Sequence, residues 1–330
     1  MTTNRRLVLG RLCAATTAVC AILGAMPAAA QERWPAKPVR MVVPFAAGGS
    51  TDIVARMVAQ KLSTLWGQPV VVENRAGAGG NVGADVVAKS QADGYTLLMA
   101  SGSITINPHI YKRMPFDTKK DLAPITNVAS GPMLLVVPDR APVKNVKELI
   151  TLAKSAPGTL NFGSAGIGSQ VHLAAENFAD AARIEIKHVP YRGEALAYND
   201  LMAGQIQMMV GNFAAASALL GPGRLRARAV TGKQRSALLP DVPTVAESGL
   251  PGFENTGWFG LLAPAGTQQD VIAKIQRDTA KVLGETETKA RLYVQGMTGV
   301  GNTSAEFGKA MEAESSRWES VVKNRNITTN

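Results

Sequence analysis

Cysteine is nearly absent. The chain of 330 residues holds two, Cys13 and Cys20, and both fall within the first thirty positions. Loss of that segment would leave no disulfide, no thiolate nucleophile and no cysteine-based metal site. Histidine is almost as scarce. His109, His172 and His188 are the only three, and no two stand at a metal-ligand spacing, so no metal is expected. Ser164 is preceded by Phe162-Gly163, which removes a G-x-S-x-G nucleophile elbow. There is no G-x-x-x-x-G-K-[ST] phosphate loop. Gly77, Gly79 and Gly83 follow G-x-G-x-x-x-G, not the dinucleotide spacing G-x-G-x-x-G. No cofactor is therefore expected. Aromatic residues make up 5% of the chain, and basic residues are scattered, without the stripe that a nucleic-acid surface carries. After residue 30 no stretch approaches the roughly eighteen apolar residues of a membrane span.

The first feature present is a targeting pattern. Arg5, Arg6 and Arg11 make a positive start, Leu12 to Leu23 an apolar run, and Ala28-Ala29-Ala30 a small-residue cleavage pattern before Gln31. Residues 1–30 read as a signal peptide cleaved after Ala30, which places the mature chain in the periplasm. Arg5-Arg6 followed by Leu7-Val8-Leu9 partly matches a twin-arginine signal, so the export route stays open. Thr17-Ala18-Val19-Cys20 is a poor lipoprotein box. Loss of the three arginines lowers the formal net charge from +10 to +7. A basic surface of that size raises the encounter rate with anions.

Past the signal, strand-like apolar runs alternate with helical patterns. Val39–Phe45, Val70–Glu73 and Tyr95–Ala100 read as strands, with helices at Asp52–Leu65 and Gly83–Lys89. The later half repeats the rhythm. Strands are expected at Leu160–Gly163, Ile184–Val189, Ile206–Gly211 and Arg226–Val230, and helices at Ser169–Ala182 and Glu194–Ala203. The end is helical, at Thr267–Leu283 and Ser304–Val322, with Phe307, Met311, Trp318 and Val322 on one stripe. This alternation indicates α/β structure with mainly parallel sheets, and about three hundred residues imply two domains.

The glycines sit where chemistry is expected. Three segments share the layout strand, Gly/Ser/Thr turn, helix: Val42 to Asp52 through Gly48-Gly49-Ser50-Thr51, Val72 to Asn81 through Gly77, Gly79 and Gly80, and Asn161 to Ser169 through Gly163, Gly166 and Gly168. A helix N-terminus exposes unpaired N–H groups and the positive end of the helix dipole, and glycine lets an anion approach them. The same glycines could instead serve only tight turns, with Ser50, Thr51 and Ser169 as ordinary caps. Three such loops in one chain favour an anion site, and without a nucleotide signature a carboxylate is the fitting guest. His172, three residues past Ser169, reads as helix-terminal packing. Asp52 suits the first turn of its helix. Asp200 stands near a helix end, where an acid is less expected, and is a candidate pocket residue.

On these residues the chain resembles the periplasmic substrate-binding proteins of tripartite tricarboxylate transporters, the Bug-type receptors. The resemblance runs from Trp34-Pro35 to about Trp318. It is carried by Val43-Pro44-Phe45-Ala46-Ala47-Gly48-Gly49-Ser50-Thr51-Asp52, Glu73-Asn74-Arg75-Ala76-Gly77-Ala78-Gly79-Gly80, Asp93-Gly94-Tyr95-Thr96-Leu97, Gly163-Ser164-Ala165-Gly166 and Val189-Pro190-Tyr191-Arg192-Gly193, with Leu239-Pro240-Asp241-Val242-Pro243-Thr244 and Trp258-Phe259-Gly260-Leu261 later. The resemblance implies a two-domain, periplasmic-binding-protein-like flytrap, each domain a mainly parallel sheet flanked by helices. Domain 1 would take residues 31–130 plus 256–330, and domain 2 residues 131–255. The family's ligand carboxylate lies between the two facing loops. That carries over to Phe45, Gly48, Gly49, Ser50 and Thr51 on one side and Ser164, Ala165, Gly168 and Ser169 on the other, with Ser101, Ser103 and Asp200 as weaker candidates. The chain departs from the pattern at Gly211-Asn212, where many members carry an acid before Asn, and at Ser90-Gln91-Ala92.

The implied function is a non-enzymatic receptor. It would bind a small carboxylate as a monomer and hand it to the membrane subunits of a tripartite transporter. Two alternatives stay open: delivery of the loaded form to a sensor kinase ectodomain, and an exported hydrolase using Ser164, for which no positioned base is visible in sequence.

Overall fold

The computed structural model describes residues 34–329. The expected signal peptide, its cleavage point and both cysteines lie outside the described residues. Residues 37–329 form one compact unit.

The first segment builds a parallel core. β1 (Val39–Val43), α1 (Ser50–Trp66), β2 (Val70–Asn74), α2 (Asn81–Ala88) and β3 (Thr96–Ser101) follow in order. β1 lies between β2 and β3, parallel to both. Val39, Met41, Val42 and Val43 are fully buried, as expected for a central strand covered on both faces. Two short helices, α3 (Ser103–Ile110) and α4 (Thr118–Asp121), lead into the long strand β4 (Leu122–Pro138).

The middle segment runs through α5 (Val146–Ser155), β5 (Asn161–Ser164), α6 (Gln170–Ala182), β6 (Lys187–Pro190), α7 (Glu194–Ala203), β7 (Met209–Asn212), α8 (Phe213–Ser217) and β8 (Leu225–Val230). The chain returns through β9 (Thr256–Pro264), α9 (Gln269–Gly284), α10 (Thr286–Val294), β10 (Thr298–Gly299) and α11 (Ser304–Asn324).

β4 organises the whole. Leu122 to Pro132 pair antiparallel with β9, and Met133 to Pro138 pair antiparallel with β7 and β8. Beyond β9 the sheet continues through β3 and β1 to β2. β5 and β6 form a parallel pair. Of the strands expected from the alternation, β1, β2 and β3 and the pair β5 and β6 pair in parallel, whereas β7 and β8 lie antiparallel to β4; every antiparallel pairing involves β4 or β9. In the second half of β4 successive side chains enter opposite cores, because a strand alternates faces. Met133, Leu135 and Val137 pack with Val171, Ala175 and Phe178 of α6. Leu134 and Val136 pack with Ala197, Tyr198 and Leu201 of α7. Complete burial of side chains this size contributes about 1.5–3 kcal/mol each. Among the described residues no helix is long and apolar enough to cross a membrane.

The helical reading holds for α7, which spans Glu194–Ala203 as expected, and for α1, α6 and α11 within a few residues at each end. α3, α5 and α10 are elements that the periodicity did not single out. α3 carries Pro108 inside it and a β-branched start, Ile104-Thr105-Ile106, which obscures a helical pattern.

Candidate functional site

The turn after β1 delivers the N-terminus of α1 into the interior. Gly49 is the N-cap residue with extended backbone and makes no side-chain cap bond. Ser50, Thr51 and Asp52 are all buried. Asp52 braces the turn. Its carboxylate accepts from Gly48 N at 3.0 Å, Arg56 Nε at 2.9 Å and Asn74 Nδ2 at 2.9 Å. Burial pushes this carboxyl up, but the Arg56 guanidinium, the Gly48 N–H and the Asn74 amide outweigh it and hold it below the usual carboxylate range. Asn74 also donates to Phe45 O at 3.0 Å, so β2 fixes the same turn.

The turn after β5 faces it. Ser169 caps α6, its hydroxyl accepting from His172 N at 3.3 Å. Gly168 has φ of +81°, and a Cβ there would come within 2.0 Å of Asn107 Oδ1 of α3. A larger residue there would have to displace the Asn107 side chain, whose amide donates to Gly79 O and Asn81 Oδ1, and adopt a left-handed backbone that favours glycine.

Between the two turns lies a narrow cavity. Phe45, Gly49, Ser50 and Thr51 line it from the first turn, Ala165 and Ser169 from the second, and Ser101 from the end of β3. These are seven of the residues expected from sequence. Its free volume, about 10 Å³ for the centre of a water molecule, is room for about one water. A larger groove of about 490 Å³ is lined by residues of α3, α4, the loop between them and α11, among them Tyr111 and Met114 of that loop and Met311. Neither Gly-rich turn reaches it, so size alone does not mark the site.

The other five expected residues stand back from the cavity. Gly48 turns the backbone with φ of +82°. Ser103 bonds the Ser101 hydroxyl at 3.1 Å. Gly168 packs on α3. The Asp200 carboxylate accepts from the Tyr191 hydroxyl at 2.7 Å and is not among the lining residues. Ser164 is fully buried. Its Oγ lies 2.6 Å from His188 Nε2 and also bonds Gly166 N and O at 3.0 and 3.1 Å. The structure thus places beside Ser164 a ring nitrogen that sequence reading did not find. The His188 ring stacks against both Phe162 and His172, with ring centroids 4.9 and 3.8 Å away. No carboxylate among the described residues hydrogen-bonds His188, so the serine has neither an orienting acid behind its base nor an open face for a substrate.

Four lining residues were missed: Gln170, Val171, Glu194 and Asn212. Gln170 ties the edges of the cavity together. Its Oε1 accepts from Gly102 N at 3.1 Å and Trp258 N at 3.3 Å, and its Nε2 donates to Asn212 Oδ1 at 2.9 Å. Glu194 Oε2 accepts from Ser50 N at 3.1 Å, and Oε1 accepts from Asn212 N and Nδ2 at 2.9 and 2.8 Å. Burial pushes the Glu194 carboxyl above its ordinary range, against the pull of the Asn212 and Ser50 donors. In sequence Glu194 looks like an ordinary first-turn acid on α7; only burial marks it. Gly211, the departure noted in sequence, also finds its reason here. A Cβ at Gly211 would come within 1.8 Å of the Tyr198 hydroxyl, so the buried Tyr198 ring leaves no room for a larger residue.

A family model described as tripartite tricarboxylate transporter family receptor matches residues 54–327. Protein BugT of Bordetella pertussis is 36% identical over 315 residues, covering 95% of this chain and 97% of that protein. The solved structure of R. palustris Rpa4515 with adipate is 37% identical and superposes with a TM-score of 0.87 over 90% of this chain and 100% of that one. MatC (Rpa3494) from Rhodopseudomonas palustris with bound malate is 31% identical, with a TM-score of 0.82 over 88% of this chain and 100% of that one.

Proposed function

The chain belongs to the tripartite tricarboxylate transporter receptor family, and from that premise we propose that it is a periplasmic receptor that captures a small carboxylate and delivers it to the membrane subunits of such a transporter. The observation that carries this reading is the facing of two hydroxyl-bearing turns, one at each of two helix N-termini, across a single cavity. Hydroxyls and N–H groups so placed are a carboxylate's natural partners. Related receptors solved with adipate and malate support the ligand class.

In this reading residues 31–130 plus 256–330 form one lobe and 131–255 the other. The exchange of β4's partners at Pro132/Met133 and the start of β9 at Thr256 support crossings at those points. The ligand carboxylate sits among Phe45, Gly49, Ser50 and Thr51 of one lobe and Ala165 and Ser169 of the other, with Ser101 at the end of β3, while Gly48, Ser103, Ser164 and Gly168 support these turns from behind. Asp200 acts through Tyr191 and does not touch the ligand. A dicarboxylate needs more room than about 10 Å³, so uptake begins with separation of the two turns. Residues 1–30 act as the export signal, and the mature receptor works as a monomer.

The test is a thermal-shift screen of purified, ligand-free protein against small mono- and dicarboxylates and amino acids. An acid at about a hundred times its dissociation constant adds roughly 2.7 kcal/mol, which raises Tm by about 4 °C for a chain of this size. A selective rise with one acid is the expected outcome. No rise with any member of the panel overturns the reading.

A further inference from the structure

The cavity between the two turns has one ionisable side chain in its lining, and it is an acid. Every other lining residue is apolar, glycine, a hydroxyl or an amide. Glu194 is 4% exposed, and three N–H groups hold its carboxylate against the N-terminus of α1 and the start of α8. No salt bridge reaches it among the described residues. A ligand carboxylate entering this cavity finds hydroxyls on Ser50, Thr51, Ser101 and Ser169, and beside them the Glu194 carboxylate, whose Oε2 accepts from Ser50 N at the start of α1. Like charges a few ångströms apart inside a protein repel strongly, on the order of a hundredfold in affinity or more. The same carboxylate attracts a cation, and Oε1 and Oε2 each keep acceptor capacity.

We infer that Glu194 is the specificity-determining residue of this receptor, selecting a small acid that carries one carboxylate and one ammonium group over a dicarboxylate. The inference rests on the receptor reading above and deepens it. The ligand carboxylate takes the hydroxyl side of the cavity, and the ammonium donates to Glu194. Glu194 keeps its bonds to Asn212, which set the carboxylate's direction. Its bond to Ser50 N is the one that opens when the two turns part. The second charged group of the ligand is thereby read by charge as well as by shape, and rejection of a second carboxylate is built in.

The experiment is calorimetric titration of the protein with matched pairs: β-alanine against malonate, 4-aminobutyrate against succinate, and 5-aminopentanoate against glutarate, with the common α-amino acids alongside. In the wild type an amino acid is expected to bind at least tenfold more tightly than the dicarboxylate of equal carbon count. Glu194→Gln keeps the shape and removes the charge. It is expected to weaken the amino acid at least tenfold and to strengthen the dicarboxylate, so the ratio inverts. A loss of folding alone would not move that ratio, and the wild-type comparison stands even if the variant does not fold. Wild-type binding of a dicarboxylate as tight as that of any amino acid overturns the inference and leaves the receptor reading intact, as does an unchanged ratio in Glu194→Gln. Failure of every carboxylate to bind overturns both.

Discussion

The stacked rings of Phe162, His188 and His172 show how one residue can carry a property of the whole chain. Burial lowers His188 to about 4, and burial followed by the neighbouring His188 holds His172 well below its ordinary value. Both rings are therefore neutral at pH 7. His188 meets the Ser164 hydroxyl, and His172 Nδ1 accepts from Gly168 N at 3.2 Å. In the unfolded chain each ring takes up a proton near 6.5. The unfolded state then binds more protons than the folded one between about 4 and 6.5, so stability is full above 6.5 and falls as pH drops through that window. The loss from His188 alone is about 3 kcal/mol as an order of magnitude. His188→Gln is expected to flatten this slope, as checked by urea unfolding at pH 7 and pH 4.5; an unchanged slope sinks the assignment. None of the three histidines announced this in sequence, because a lowered pKa comes from neighbours and not from the residue itself.

At the scale of elements, legibility followed locality. α7 could be read end to end, since Gly193 precedes it and Gly204 closes it in the left-handed conformation. The core stripe of α11 was also legible: Phe307, Trp318 and Val322 are buried, and Met311 packs at the edge. Its start is fixed by a capping box, with Glu306 N donating to Thr303 Oγ1 at 3.2 Å and Thr303 N to Glu306 Oε2 at 2.9 Å. Thr303→Ala is expected to cost about 1 kcal/mol, as a lower urea midpoint with unchanged slope. A change below a few tenths of a kcal/mol would mean that the packing of Phe307 and Trp318 alone holds that end. Helices such as α5 escaped because a short amphipathic run between two loops gives too few turns for its period to stand out.

Across the molecule, the bonds spanning the proposed cleft decide how tightly it closes. Gln170 joins Gly102 and Trp258 on one side to Asn212 on the other, and Tyr111 donates to Ile167 O at 3.0 Å. Gln170→Ala removes the first of these ties and leaves two buried N–H groups without their acceptor. The ligand-free variant is expected to show a larger radius of gyration than wild type in small-angle scattering. Identical profiles would place the closing energy elsewhere. Of the residues expected from sequence, seven line one cavity, while Ser164 is turned toward His188 and Asp200 toward Tyr191.

The sequence by itself determined the α/β alternation, the positions of the Gly-rich turns at helix starts and the family of the fold, because each depends on patterns within one strand, turn or helix. Tertiary structure alone decided which of those pieces meet. Glu194 reaches Ser50 across 144 positions, His188 reaches Ser164 across 24, and one strand, β4, serves both cores by alternating its faces. Such meetings depend on the order of strands in the sheet and on the path of the crossovers, which no local period encodes. The physical consequence is that the turns able to hold an anion were visible in the sequence, whereas the buried acid that restricts which anion enters became visible only in the fold.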